Sequence, residues 1–341
     1  MISNFYILGM GRSGTTLLQS IMDAHGAIVV PPESYFVLHL YKKYHKKKNW
    51  DARTLSKFMD DLYTDRPFRL MWRVPRASLE EAFAQAGEIN SMGDALNVVR
   101  SSFRGSYKQK SIVRFGGKKP IYSMFTKRIM DVNPNAKIIH IMRDPRGTAN
   151  GQINTFKKKD ALAIGYLWTW NNKSVLKLKE KYPDQYFLLK YEDLIENTED
   201  TMRSVCEFLE LPYEPSMMDY RSTTTKRFTE YTETYKDKHR SLLKPIDKSI
   251  AEKWKKSLLP KHRKHVEYAT ADLAQQFGYG FEKPKSDLTI LLRTPLSKLK
   301  IFMGVVAIRT FFSIPFFIRK SILQLRSRLT DHKYWPDQPK I

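Results

Sequence analysis

Asn4-Phe5-Tyr6-Ile7-Leu8-Gly9-Met10-Gly11-Arg12-Ser13-Gly14-Thr15-Thr16-Leu17-Leu18 stands almost at the start of the chain, and the order of its parts decides the fold. The first five residues form an apolar run rich in aromatic and branched side chains, which predicts a buried strand. Leu17, Leu18, Ile21 and Met22 then recur at helical spacing. A strand, a glycine-rich turn and a helix in that order make a phosphate cradle, because the turn's amides and the helix N-terminus converge on an anion. Gly9 and Gly14 keep the spacing of a P-loop, but Thr15 occupies the lysine position and the cation sits at Arg12. The P-loop lysine reaches the terminal phosphates of a nucleoside triphosphate, so a cradle without it suits a ligand with a different terminal group.

Two further strands follow. Lys137-Ile138-Ile139-His140-Ile141-Met142 ends at Arg143-Asp144-Pro145-Arg146, and Tyr186-Phe187-Leu188-Leu189 ends at Lys190-Tyr191-Glu192-Asp193-Leu194. Residues 35–110 read as mostly helical, with Phe68, Met71, Trp72 and Arg73 as candidate walls of an acceptor cleft. An amphipathic helix is expected over 198–210, a mobile loop over 221–250, and a helix over 250–277 with Gly278 as its C-cap. Strands alternating with helices predict an α/β fold: a P-loop-like parallel β-sheet with helices on both faces.

That domain is expected to occupy residues 1–283, with 284–341 as a basic, apolar-aromatic helical tail. In the tail, Ile301–Ile308 and Phe311–Ile318 are apolar, Arg309 separates them, and Pro284, Pro295 and Pro315 punctuate. Lys298, Lys300, Arg319, Lys320, Arg326 and Arg328 edge these blocks. Such a pattern predicts a segment lying in an anionic membrane interface, with a hairpin packed on the domain as the alternative. Arg309 and Pro315 argue against a transmembrane span.

The chain's 59 Lys and Arg against 35 Asp and Glu give a formal charge of +24, which favours anionic partners: nucleotides, sulfated or phosphorylated products, anionic lipid, nucleic acid. Cys206 is the one cysteine, so no internal disulfide can form and a reducing compartment is expected. With Met202, Val205 and Leu209 it forms an apolar helical stripe, which predicts an inert core thiol. The first strand begins close to Met1, and no run of about 20 apolar residues occurs. The expected location is therefore cytoplasmic, with peripheral membrane contact through the tail.

The blocks quoted above resemble, over residues 4–280, the PAPS-dependent sulfotransferases, specifically the tyrosylprotein-sulfotransferase-like and bacterial carbohydrate-type branch. The resemblance implies that Gly11, Arg12, Ser13, Gly14, Thr15 and Thr16 hold the 5′-phosphosulfate of 3′-phosphoadenosine-5′-phosphosulfate (PAPS). It implies that Arg143 grips the 3′-phosphate at the other end of the cofactor. The family pairs this arginine with a serine eight residues on; here that position is Gly151. A missing hydroxyl forfeits about 0.5–1.5 kcal/mol, which Asn150, Thr148 or the Gly151 amide can replace. Met22-Asp23-Ala24-His25 to Pro31-Pro32-Glu33-Ser34 is similar to the branch's base-bearing segment. The similarity implies Glu33 as general base, with His25 as a rival. Gly116-Gly117-Lys118-Lys119-Pro120 implies Lys118 at the transferring sulfuryl group, with Lys119 open to the same role. Lys244 and Tyr191 match residues near the nucleotide, and a helix carrying Trp254 fits the same layout.

The implied reaction moves a sulfuryl group from PAPS to an acceptor hydroxyl (saccharide, glycolipid or other) by in-line displacement, leaving 3′-phosphoadenosine-5′-phosphate. Arginine and lysine suffice for it, so no metal is expected. A P-loop nucleotide kinase or NTPase is the alternative enzyme; Thr15 and the lack of an evident Mg²⁺-binding carboxylate pair stand against it. A nucleic-acid-binding module is permitted by charge, but no zinc-finger spacing or RNA-recognition signature occurs.

Overall fold

β1 (Ser3–Leu8) lies at the middle of a five-stranded sheet with β2 (Ile28–Val29), β3 (Arg114–Lys118), β4 (Lys137–Met142) and β5 (Tyr186–Lys190). The order is β2-β3-β1-β4-β5, and every pairing is parallel. Of the 341 residues, the computed structural model describes 3–103, 112–157, 160–229, 236, 239–323 and 325. Arg326, Arg328 and part of the 221–250 stretch lie outside the described residues.

The unbroken apolar run of β1 reflects cover on both faces. Phe5 and Ile7 pack with Leu18, Ile21, Val30 and Ile139. Tyr6 and Leu8 join the opposite cluster with Phe36, Phe68, Trp72 and Phe115. Strands two and three lie on one side of β1 and strands four and five on the other, so the chain's winding reverses at the end of β1. Ligands of open α/β sheets bind at such a reversal, beyond the carboxyl ends of the strands.

The expected β1, β4 and β5 are present; the sequence reading names neither β2 nor β3. Arg114-Phe115-Gly116-Gly117-Lys118 offers Phe115 alone as a strand-forming side chain, but its glycines clear space for two rings. A Cβ at Gly116 would stand 2.5 Å from Phe5 Cζ, and one at Gly117 2.5 Å from Tyr6 Cε1. The loop expected over 221–250 is also corrected: Tyr220–Thr229 is a helix. Arg227 anchors it, donating to Asp23 Oδ2 (3.2 Å) and Ser20 Oγ (3.0 Å), while Phe228 enters the core. The anchor is a buried cation, so no apolar periodicity announced the helix. The 198–210 helix is found as Thr198–Phe208 and the late helix as Pro260–Gln276, with Gly278 left-handed beyond its end.

In the tail, Leu288–Phe311 forms one helix that runs through Pro295 and Arg309, so neither residue breaks it. Pro295 lies on the exposed side, where its ring displaces no packed neighbour. The opposite side packs against the helix Ala161–Lys181, burying Ile290, Ser297 and Val305. Among the described residues, no single helix is long and apolar enough to cross a membrane.

Candidate functional site

The turn after β1 is wound into an anion-binding form. Arg12 has φ 77° and Gly14 φ 89°, so two left-handed residues flank Ser13, and such winding can turn backbone amides toward an anion. A left-handed arginine is strained, and such strain collects at binding sites. Gly14 is doubly required: its backbone is left-handed, and a Cβ there would stand 2.3 Å from Tyr191 Cδ2. The turn's carbonyls are tied down from behind. Gln152 Nε2 donates to Gly11 O (2.7 Å), Ser13 N to Met10 O (3.1 Å) and Arg143 Nη1 to Arg12 O (3.2 Å). The helix Thr15–Asp23 then starts at Gly14 with no side-chain cap, leaving its first amides available to a ligand.

Arg12, Gly14, Thr15, Thr16, Arg143, Gly151 and Tyr191 all line one cavity of about 440 Å³. The sequence reading assigns Arg12 and Arg143 to the two ends of one ligand; both line this cavity, with Arg143 Nη1 3.2 Å from Arg12 O. Burial and the adjacent Arg143 both lower the Arg12 pKa, so the pair holds concentrated positive charge. The Arg143 guanidinium stacks 4.2 Å from the Tyr191 ring, and its Nη2 donates to Ile250 O at 2.9 Å. Position 151 is coupled to Arg12, because a Cβ there would lie 3.0 Å from Arg12 Cβ. Arg12 thus occupies space that a serine would need. Of the suggested stand-ins, Asn150 lines the cavity, while Thr148 is buried and faces Ser13 Oγ at 3.5 Å.

Next to the loop, Lys118 ends β3 with its Nζ 3.2 Å from Thr16 Oγ1 and 2.6 Å from Glu33 Oε1. Lys119 Nζ donates to Glu33 Oε2 at 3.1 Å and lies 3.7 Å from the Tyr35 ring centroid. A lysine absent from the P-loop position is thereby delivered from the neighbouring strand. Burial by itself would raise the Glu33 pKa, but the two lysines outweigh it and hold the carboxylate at about 2. Burial pulls Lys118 down despite Glu33, whereas Glu33 keeps Lys119 above its ordinary value against burial.

Other expected residues lie elsewhere. His25 is buried away from the cavity, with Nε2 against Pro212 O (2.9 Å) and Nδ1 accepting from Ala27 N (3.0 Å). Lys244 is exposed and does not line the cavity; Lys253 does. Arg146, the residue after the turn's proline, binds Asp144 (2.7 Å) and Glu267 (3.3 Å) between the Trp254 and Phe281 rings, a structural role. Sequence reasoning missed His239, which also lines the cavity. Burial and the positive charge of Lys118 keep it neutral, at about 4. Its lack of apolar context and of a motif left nothing in the sequence to single it out.

A second cavity of about 710 Å³ is lined by Met71, Trp72, Arg73, Pro75, Val98 and Phe103, among others. Trp72 Nε1 donates to Pro32 O at 2.8 Å, so this wall abuts the residue before Glu33. Phe68 lies in the core beneath it.

The family model described as "Sulfotransferase family" matches residues 4–215. A protein of Aquifex aeolicus (strain VF5) without a described activity is 23% identical over 260 residues, 74% of this chain; this chain spans 30% of that relative's length. A Caenorhabditis briggsae protein, named as a candidate protein-tyrosine sulfotransferase, is 23% identical over 230 residues, 64% of this chain and 71% of that one. Among solved structures, the sulfotransferase domain of the Synechococcus PCC 7002 olefin synthase superposes with a TM-score of 0.57 at 18% identity, covering 82% of this chain and 96% of that one. That likeness is one of fold.

Proposed function

The chain belongs to the sulfotransferase family, and we propose that it moves a sulfuryl group from PAPS to an acceptor hydroxyl, with Glu33 as base. One observation carries the reading: Arg12, Arg143, Gly14, Thr15 and Thr16 converge on a single cavity, and Thr16 links it to the Lys118–Glu33 pair. In this reading the turn and Arg12 hold the 5′-phosphosulfate, while Arg143, Tyr191 and the Gly151 surface hold the 3′-phosphate.

Glu33 removes the acceptor proton, the acceptor oxygen forms a bond to sulfur, and the sulfur–oxygen bond to the 5′-phosphate breaks. The electron pair leaves on 3′-phosphoadenosine-5′-phosphate. At a pKa of about 2 Glu33 is a poor base. The sulfuryl oxygens compete for Lys118, however, and each share of lysine charge drawn toward them restores basicity to Glu33. Base strength then rises as the transferring group is gripped. His239, neutral in the same cavity, is the alternative base. The acceptor enters by the Trp72 cavity, whose size suits a saccharide, a glycolipid headgroup or another hydroxyl compound.

Calorimetry with 3′-phosphoadenosine-5′-phosphate and ADP tests the nucleotide reading. Wild type should prefer the former clearly, and Arg143→Ala should abolish the preference. Equal affinities, or Mg²⁺-dependent ATP turnover, would replace this reading with an NTPase. Glu33→Gln should bind nucleotide and lose turnover; if it keeps turnover while His239→Ala loses it, the base is His239.

A further inference from the structure

We propose that the exposed face of the tail helix Leu288–Phe311 docks the protein on the surface of an anionic bilayer, without spanning it. Leu288, Leu292, Leu299, Phe302 and Val306 recur every three, four or seven residues and form one stripe along the helix, opposite the buried Ile290, Ser297 and Val305. Each is 43–71% exposed. The helix is about 36 Å long, so this apolar strip is far more than scattered surface leucines. Phe317, Ile318 and Ile322 extend the exposed apolar surface onto the next helix, which departs at 107°.

Charge selects the occupant. Leu288–Phe311 contains Arg293, Lys298, Lys300 and Arg309 and no acidic residue. Helical geometry places Arg293 and Lys300 on one flank of the stripe and Lys298 and Arg309 on the other. The second flank is also aromatic: Lys298 lies 5.2 Å from the Tyr166 ring and Arg309 5.4 Å from the Trp170 ring. Apolar stripe, cationic and aromatic border, then folded domain is the sequence of layers that a bilayer presents in reverse as acyl chain, headgroup and water. Arg293 and Lys300 reach Asp160 only at 3.7 and 3.6 Å from exposed positions, so lipid phosphates can share them. A second copy is the poorer fit, because a two-fold contact through this stripe would press cationic borders together on chains of formal charge +24.

The test is flotation of the whole protein with vesicles of phosphatidylcholine, with and without about 30 mol% phosphatidylglycerol. Wild type should bind the anionic vesicles about tenfold or more tightly than the neutral ones, and high salt should weaken binding. Leu292→Glu with Phe302→Glu should cut binding about tenfold or more. Both sites are exposed, so melting temperature and nucleotide affinity should not change. Wild type that fails to float refutes the proposal. So does a wild-type dimer in sedimentation that the double variant converts to monomer. Binding seen only after removal of residues 326–341 refutes it too, the chain's own end then being the occupant of the face. None of these readouts depends on sulfuryl transfer: a protein that floats but ignores 3′-phosphoadenosine-5′-phosphate retains this surface and loses the proposed activity.

Discussion

Replacing Glu33 with glutamine should destabilise the protein in a pH-dependent way that the geometry specifies. Glu33 is the anion between two buried lysines: the Lys118 side chain is 2% exposed, Lys119 9% and Glu33 33%. Removing one partner of a fully buried pair costs about 3–5 kcal/mol, since the other charge stays desolvated. A one-third-exposed carboxylate is partly screened, so about 2–3 kcal/mol is expected here. For a domain of this size that lowers the melting temperature by roughly 3–4 °C. The wild-type Glu33 pKa, about 2, lies below its unfolded value, so its stabilisation is present at neutral pH and is lost as pH falls from about 4.3 through 2. On the alkaline side the variant's Lys118 sits buried without its anion, its pKa further depressed below the unfolded value. The unfolded chain then binds more protons, and variant stability rises with pH toward about 10. The gap between wild type and Glu33→Gln should be widest between about pH 5 and 8 and close on both sides. Thermal melts followed by circular dichroism across that range measure it. A gap below about 0.5 kcal/mol at pH 7, or one that widens above pH 9, would refute the account of the pair.

Arg143 and Arg146 should separate cleanly. Arg143→Ala should weaken 3′-phosphoadenosine-5′-phosphate by about 10–100-fold in calorimetry with little change in melting, whereas Arg146→Ala, which strands buried Asp144 and leaves Glu267 with Arg263 alone, should cost about 3–5 kcal/mol in denaturant unfolding. Gly14→Ala forces a left-handed alanine, at about 1–2 kcal/mol, and a clash with Tyr191, so nucleotide affinity should fall about tenfold or more; unchanged affinity would remove the turn from the site. Burial pushes the Cys206 thiol to about 11, so a thiol reagent at pH 8 should label it only after denaturant is added; rapid native labelling would contradict its place in the core.

What was legible in the sequence was what local pattern carries. β1, β4 and β5 are continuous apolar runs, and the anion turn has its glycines at fixed offsets, so both were readable, as was the clustering of Arg12, Arg143, Tyr191 and Gly151 at strand ends. Positions set by partners distant in sequence were not. Arg114–Lys118 is a strand because Phe5 and Tyr6 need its glycines, and Tyr220–Thr229 is a helix because Arg227 finds Asp23 some 200 residues earlier. Lys253 replaces Lys244 on the cavity wall for the same reason: the short turns of 240–257 decide which lysine faces inward, and both look alike in a basic chain. Glycine at 151, read as a lost serine, is better understood from Arg12, whose side chain fills the adjoining space.

The tail cannot be treated as a removable anchor, which is why its docking face is probed by surface substitutions and not by truncation. Composition changes at residue 284, but packing does not stop there. Phe312 and Phe316 belong to the same apolar cluster as Tyr6, Phe36 and Trp72. The Phe312 ring stacks on Tyr35, with centroids 6.4 Å apart and planes at 24°, and Tyr35 lies under Lys119, which holds Glu33. Arg319, fully buried, donates to the carbonyl of His39; burial first, then the charges of Arg319 and Lys119, keep that histidine neutral. Deleting 284–341 would therefore uncover the wall behind Glu33 and leave buried aromatic surface open to water. Loss of vesicle binding in such a deletion would report unfolding as readily as lost docking. Leu292 and Phe302 lie on the opposite side of the helix from these contacts, so charges placed there perturb the outer face alone, and a change confined to vesicle binding can be assigned to it.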